Sequence, residues 1–384
     1  MPLKIAERAD VAPFIVMDVV RAANEREAAG GDVLHLEVGQ PGGGAPQGAR
    51  DAAAAAVQQG PLGYTETPGM PALRRRIARH YAERHGVEPD PERVIVTTGS
   101  SAGFLLAFLA AFEPGDRVAL AAPGYPAYAN ILKALGLEPV WLPTGAGTRF
   151  QPTPELLATV RGKLDGLILA SPSNPAGTMV DAEAMAGLAE ACAERGVRLI
   201  SDEIYHGIEF GQRAVSALGY SDSAVVVNSF SKYFGMTGWR VGWLVVPPDM
   251  VRPVERLAQN LFISAPAVSQ HAALAAMDCR HELDAAVAAY ARSRATLLDA
   301  LPRAGITEIA PADGAFYIYA NIGHLTTDSQ EFCRRMLDAT GIAATPGIDF
   351  DPVDGHRHVR FSFAGREAEI AEAAARLVRW LGGR

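Results

Sequence analysis

Lys232 follows the apolar run Val225–Val227 inside a loop of small and hydroxyl residues, SFSKYFGMTGWR at 229–240. An amine placed just after a buried strand can act as a nucleophile or a base once a cleft has stripped its water. Taken singly, a lysine is more commonly a solvated surface charge. Four more stretches hold residues that could meet it: TTGSSAGF at 97–104, GYPAY at 124–128, SPSNPAGT at 171–178 and SDEIY at 201–205. Gly99, Ser100 and Ser101 precede an apolar helical run, so free amides and hydroxyls at a helix N-terminus would cradle an anion. An ordinary N-cap is the plainer reading. Asp202 closes a buried strand, a costly position for a carboxylate unless a cation meets it, although capping a helix would also explain it. Tyr205 shares its side of the chain if the segment turns as a helix. Asn174 precedes Pro175 in a rigid turn after another strand, where an Asn turn alone would account for it.

The elements around these stretches repeat as apolar strand, turn and helix. Strands are expected at 94–97, 118–121, 138–142, 166–170, 197–201, 225–227 and 241–246, with helices at 104–112, 154–161 and 181–195 between them. Short continuous apolar strands separated by helices indicate a mainly parallel sheet covered on both faces, that is, an α/β large domain. The chemistry-bearing stretches all fall at strand ends, where such sheets bind ligands. Before them, 15–29 has the period of an amphipathic helix, 33–38 alternates as a strand, and GQPGGGAP at 39–46 is a loop that would let backbone approach a ligand. After Pro247 and Pro248 the chain reads as almost unbroken helix from Asp249 to Leu301, then as a smaller α+β region with helices at 328–340 and 366–380. The expected organisation is a large domain at 46–285 and a small domain made of 1–45 with 286–384.

Composition excludes several classes. At 384 residues, with 49% apolar and 20% charged side chains and a net charge of −8, the chain is a globular protein without the clustered positive charge that nucleic acid requires. Arg74–Arg76 is the only basic run and reads as a solvated helix face. Cys192, Cys279 and Cys333 are too far apart for a disulfide framework or a metal site. The N-terminus has no signal-peptide core, and no run approaches the roughly 18 apolar residues of a membrane span. A cytoplasmic protein with no metal, nucleic-acid or membrane partner is expected. His206 reads as a packed structural histidine, His356 and His358 as surface residues, and Cys279 with Met277 as helix packing.

Taken jointly, an anion cradle, a buried carboxylate, hydrogen-bonding groups suited to a phenol and an amine match pyridoxal 5′-phosphate, which carries a phosphate, a pyridine nitrogen, a phenolic oxygen and an aldehyde. The motifs SPSNPAGT, SDEIY and SFSKYFGMTGWRVGW, in this order and spacing, make the chain similar to the class I/II aminotransferases of the aspartate aminotransferase superfamily, of fold type I. The resemblance runs from Gly39 to Phe363. It implies a homodimer moving an amino group between an L-amino acid and a 2-oxo acid by a ping-pong mechanism.

By the same resemblance Lys232 forms the internal aldimine and shuttles the proton, and Asp202 pairs with the pyridine nitrogen. Asn174 and Tyr205 bond the phenolic oxygen and Tyr125 stacks on the ring. Ser100, Ser101, Ala102, Ser229 and Arg240 hold the phosphate, joined by Tyr64 across the subunit interface. Arg360 takes the substrate carboxylate, helped by the Gly39 backbone, with Asn174 also at the substrate. A carbon–sulfur β-lyase on the same cofactor and a cofactor-bearing regulatory module without turnover remain as alternatives. Two departures bear on substrate. Gln40, Pro41 and a run of glycines replace an acidic residue followed by Pro-Asp-Phe in many relatives, and Ser101 stands where some aspartate-specific relatives have lysine. Phe14, Tyr64 and Phe350 are expected to line an apolar pocket.

Overall fold

The computed structural model describes residues 3–382. The strands are β1 (Leu34–His35), β2 (Val94–Thr97), β3 (Arg117–Ala122), β4 (Glu138–Pro143), β5 (Gly166–Ala170), β6 (Arg198–Asp202), β7 (Val225–Ser229), β8 (Gly242–Val245), β9 (Tyr317–Asn321), β10 (Ile342–Ala343), β11 (Thr345–Pro346) and β12 (His358–Ser362). The helices are α1 (Ile15–Ala28), α2 (Gln47–Gln58), α3 (Pro71–His85), α4 (Gly99–Ala111), α5 (Pro126–Ala134), α6 (Pro154–Thr159), α7 (Ala182–Arg195), α8 (Pro248–Leu261), α9 (Ala267–Ala276), α10 (Arg280–Arg303), α11 (Ser329–Thr340) and α12 (Glu367–Gly382).

β2 to β8 form one seven-stranded sheet in the order β2-β8-β7-β6-β5-β3-β4. Its strands run parallel except β8, which is antiparallel to both neighbours. Period-2 alternation divides the side chains between two cores. Ile95, Val118, Leu120, Ile168, Ile200, Val225, Val227 and Leu244 join Phe104 and Phe108 of α4 on one face. Val94, Val96, Ala119, Leu167, Leu169, Leu199, Val226 and Val245 join Met185 and Leu188 of α7 on the other. Burial on both faces is why these strands are continuously apolar. It is also why α4, with alanine, leucine and phenylalanine on almost every side, is stable only where it lies, packed against β7, β8 and α8.

Two smaller sheets complete the fold: β11-β12-β9, antiparallel, and the parallel pair β1-β10, which ties the N-terminal segment to the C-terminal region. Side-chain caps set helix starts: Asp181 accepts from Ala184 N at the head of α7, and Asp328 from Gln330 N and Glu331 N at the head of α11. The stretch from Asp249 to Leu301 is not one near-continuous helix but parts of α8, α9 and α10, broken at 262–266 and 277–279. Pro266 accounts for the first break, because it disfavours helical backbone at Ala265. Gly99–Gly103, expected as a turn ahead of a helix, is itself the first turn of α4.

Candidate active site

The carboxyl ends of β3, β5, β6 and β7 lie along one edge of the sheet, and the residues just beyond them converge on a single cleft. β3 leads to Tyr125, β5 to Asn174, β6 to Asp202 and Tyr205, and β7 to Ser231 and Lys232. α4 begins on the same edge, so its first turn presents Ser100 and Ser101. Tyr317 from β9, Arg360 from β12, and Val38 and Gly39 after β1 close the opposite side. Gly39 is required there, because a Cβ at that position would coincide with the Tyr317 hydroxyl.

Ten of the residues expected from sequence line this cleft: Gly39, Ser100, Ser101, Tyr125, Asn174, Asp202, Tyr205, Lys232, Arg240 and Arg360. Ala102, Ser229 and Tyr64 do not. Ala102 is buried within α4. The Ser229 hydroxyl is engaged inside its own loop, with Ser231 Oγ at 2.8 Å and the Val241 carbonyl at 3.2 Å, and it is Ser231 that faces the cleft. Tyr64 is 83% exposed.

The apolar wall differs from the expected Phe14, Tyr64 and Phe350. It is made by Val16 and Met17 of α1 with Val38 and Ile131. Phe14 stacks on Tyr125 from outside, at 6.0 Å between ring centroids, and Phe350 is buried beneath the Arg360 guanidinium at 4.6 Å. His358 is buried rather than on the surface. It stacks flat on Tyr319 at 4.7 Å because every residue of β12 is enclosed.

Asp202 meets no cation directly. Its Oδ1 accepts from Ile204 N at 3.0 Å and its Oδ2 from the Tyr128 hydroxyl. Burial pushes its pKa up to about 6, opposed by these two donors and by the charge of Lys232. Lys232 Nζ donates to the Gly39 carbonyl at 2.6 Å. Burial, then repulsion from Arg360, brings its pKa down to about 8 against the pull of Asp202. The Tyr205 hydroxyl bonds that of Tyr317 at 2.7 Å.

Arg360 is almost wholly buried. It donates to Asn174 Oδ1 at 2.8 Å, to Thr345 Oγ1 at 3.2 Å and to the Glu37 carbonyl, and its guanidinium lies 4.4 Å from the centre of the Tyr317 ring. Among the described residues no carboxylate pairs with it, and its Nε has no partner. A desolvated cation without a counter-ion offers a site for an anionic group.

The family model for aminotransferase class I and II matches residues 31–377. The chain belongs to that family. It is a pyridoxal 5′-phosphate-dependent aminotransferase, acting on amino acids and 2-oxo acids. It is 50% identical to a valine–pyruvate aminotransferase of Mycobacterium tuberculosis over 98% of each chain, and 32% identical to a (5-formylfuran-3-yl)methyl phosphate transaminase of Methanocaldococcus jannaschii over 96% of each. A crystal structure of an aminotransferase from Mycobacterium tuberculosis superposes with a TM-score of 0.98 over the whole of both chains, at 50% identity. These relatives share the fold type I architecture, and the transamination chemistry of the class takes precedence over β-elimination or a regulatory role without turnover. No helix among the described residues is long and apolar enough to cross a membrane.

Tyr128, Ser231 and Tyr317 line the cleft but do not stand out in the sequence as site residues. Tyr128 carried one available signal: it lies three residues after Tyr125, the spacing that puts two side chains on one helical face.

Proposed function

We propose that this aminotransferase takes amino donors with aliphatic side chains, valine among them, and pyruvate as an oxo-acid acceptor, with the chemistry carried by Lys232, Asp202 and Tyr205. The observation behind the substrate class is the make-up of the cleft. Its only cations among the described lining residues are Lys232, Arg240 and Arg360, while Val16, Met17, Val38 and Ile131 make an apolar part of the same lining. A second, distal carboxylate would be buried there without a partner, whereas an isopropyl group would gain from the same surface. The valine–pyruvate relative supports the same reading.

The residues fit the cofactor on chemical grounds. A Cβ at Gly99 would collide with the Arg240 guanidinium, so glycine is what allows that cation to lie against the first turn of α4 beside Ser100 and Ser101, a setting suited to a phosphate. Ser229 would act through Ser231, and Ala102 through its backbone. Asp202 would face the ring nitrogen, Tyr125 the ring, and Tyr205 with Asn174 the phenolic oxygen. Bound there, the cofactor supplies an electron sink for the pair left on Cα when its proton departs.

The chain's own residues do the rest. Arg360, Asn174 and the Gly39 backbone hold the substrate α-carboxylate and so orient the Cα–H bond. The Lys232 amine takes the proton from Cα and later returns one, first as base and then as acid. Tyr205, tied to Tyr317, keeps its proton, since burial raises its pKa well above the phenol range.

We further infer a homodimer, in which the exposed Tyr64 reaches the neighbouring subunit's phosphate site. The inferred domains are 46–285 and 1–45 with 286–384, a division supported by the β1-β10 pairing. A cytoplasmic location is supported by three unpaired cysteines.

The substrate assignment is tested by offering a panel of amino donors with pyruvate as acceptor. Valine and other aliphatic donors should exceed aspartate in kcat/KM by at least about tenfold; a preference for aspartate would overturn it. The lysine assignment has a pH signature. A pKa of about 8 leaves the neutral amine dominant above that pH, so cofactor-free protein should take up pyridoxal 5′-phosphate faster as pH rises and level off just above 8. Stopped-flow absorbance would follow this, and a rate still climbing beyond pH 10, as for an ordinary lysine, would contradict it.

A further inference from the structure

Asp202 is held from a direction that its proposed partnership with the cofactor does not use. Tyr128 stands in the first turn of α5, three residues after Tyr125, and its hydroxyl donates to Asp202 Oδ2 while Ile204 N donates to Oδ1 at 3.0 Å. The Tyr128 ring is 4% exposed and is fixed edge-on by Tyr125, at 5.4 Å and 84°, and by Phe104, at 5.1 Å and 64°. Water therefore has little access to replace that hydroxyl. A carboxylate enclosed to this degree is stable as an anion only where donors face it.

Other titratable groups surround the pair. Tyr125 comes from α5, Lys232 from the loop after β7, and Glu203 and Tyr205 from Asp202's own segment. Lys232 favours the anion, and burial pushes the Glu203 carboxyl up to about 8. Lys232, however, is the group assigned to proton transfer, and its charge does not persist through the cycle. Tyr128 is the side-chain donor that does persist: burial, then the charge of Asp202, raises its own pKa well above the phenol range, so it does not lose its proton in the working pH range.

We propose that Tyr128 is a positioning residue that keeps Asp202 ionised and fixes the oxygen it turns toward the ring nitrogen of the bound cofactor. The inference rests on the role given above to Asp202. Its consequence is electrostatic. With Asp202 anionic, a bound cofactor would keep its ring nitrogen protonated, and that charge would hold the pH midpoint of its absorption low. Without the Tyr128 hydroxyl, Asp202 would take up a proton and no longer favour a charged ring nitrogen, so the absorption midpoint of the bound cofactor would move to higher pH.

The test compares holoenzymes of wild type, Tyr128→Phe and Asp202→Asn by titrating the visible absorption of the bound cofactor against pH, alongside steady-state kinetics. Tyr128→Phe keeps the ring contacts and removes only the hydroxyl. Its absorption midpoint should rise by about one pH unit and kcat should fall by about tenfold, while KM for the amino donor, governed by Arg360, stays within about threefold. An unmoved midpoint in Tyr128→Phe together with a shifted one in Asp202→Asn would overturn the role of Tyr128. An unmoved midpoint in both would overturn the role of Asp202 itself. Should Tyr128→Phe fail to fold, 3-fluorotyrosine at position 128 carries the test. As a stronger donor of nearly the same shape it should move the midpoint downward, and no movement would count against the proposal.

Discussion

Replacing Lys232 with alanine is expected to lower transamination by at least about 10⁴-fold and to leave the protein folded. The magnitude follows from the absence of a substitute. Arg240 and Arg360 are the other cations lining the cleft, and a guanidinium does not give up its proton near neutrality. Tyr205 is held protonated by burial, and Asp202 is engaged by Tyr128 and Ile204. No other amine lines the cleft among the described residues. Folding should tolerate the change, because the lysine makes one hydrogen bond, to the Gly39 carbonyl, and its removal relieves the desolvation of a charge. Single-turnover formation of oxo acid measures the first effect and thermal unfolding the second. Retained turnover in a well-folded variant would mean that another group moves the proton.

Arg360→Gln should reduce kcat/KM by about 10²- to 10³-fold for amino donor and oxo-acid acceptor alike, the loss expected when one partner of a buried charge pair is truncated. On the proposed role, both substrates bring an α-carboxylate to this guanidinium, so the two half-reactions should suffer together. The side chain is held by Asn174, Thr345 and the Glu37 carbonyl and lies between the rings of Tyr317 and Phe350. The longer, charged fork is therefore fixed in place before substrate arrives. An amine lacking the carboxylate serves as the control: its slow reaction should change little. If that reaction fell as far as the amino acid's, the arginine would be acting on something other than the carboxylate.

Much of this site could be read from the chain, for a definite reason. Asn174, Asp202, Tyr205 and Lys232 each follow a short apolar strand, and in a parallel sheet strand ends share an edge, so locating the strands also groups these residues. The period-2 pattern that reveals a strand does not reveal which of its residues meets another sheet. Tyr317 and Tyr319 both alternate onto one face of β9, yet Tyr317 lies on the cleft while Tyr319 packs with His358 and Phe350. Only the approach of Tyr317 to Tyr205 and to the Gly39 backbone separates them. His358 reads as superficial for the same reason, since its partner across the sheet, Asn321, is distant in sequence. The helical period of α1 was visible, but not that Asp349 would bind its first two amides, at 2.8 and 3.3 Å, and so set Val16 and Met17 against the cleft.

The side chains assigned to the cofactor, from Ser100 to Lys232 and Arg240, belong to the seven-stranded sheet and its loops. Arg360, Tyr317, Val38 and the wall from α1 belong to the smaller sheets and what packs on them. Power of reaction is thus inherited through the large sheet, and choice of substrate mainly through the rest, with Ile131 of α5 the one wall residue on the sheet's side. Substitutions at the wall can retune which amino acid is accepted while the ring's spectrum stays as it was. Substitutions along the sheet edge will slow every substrate by a common factor. An evolving lineage could therefore change its diet without rebuilding its chemistry.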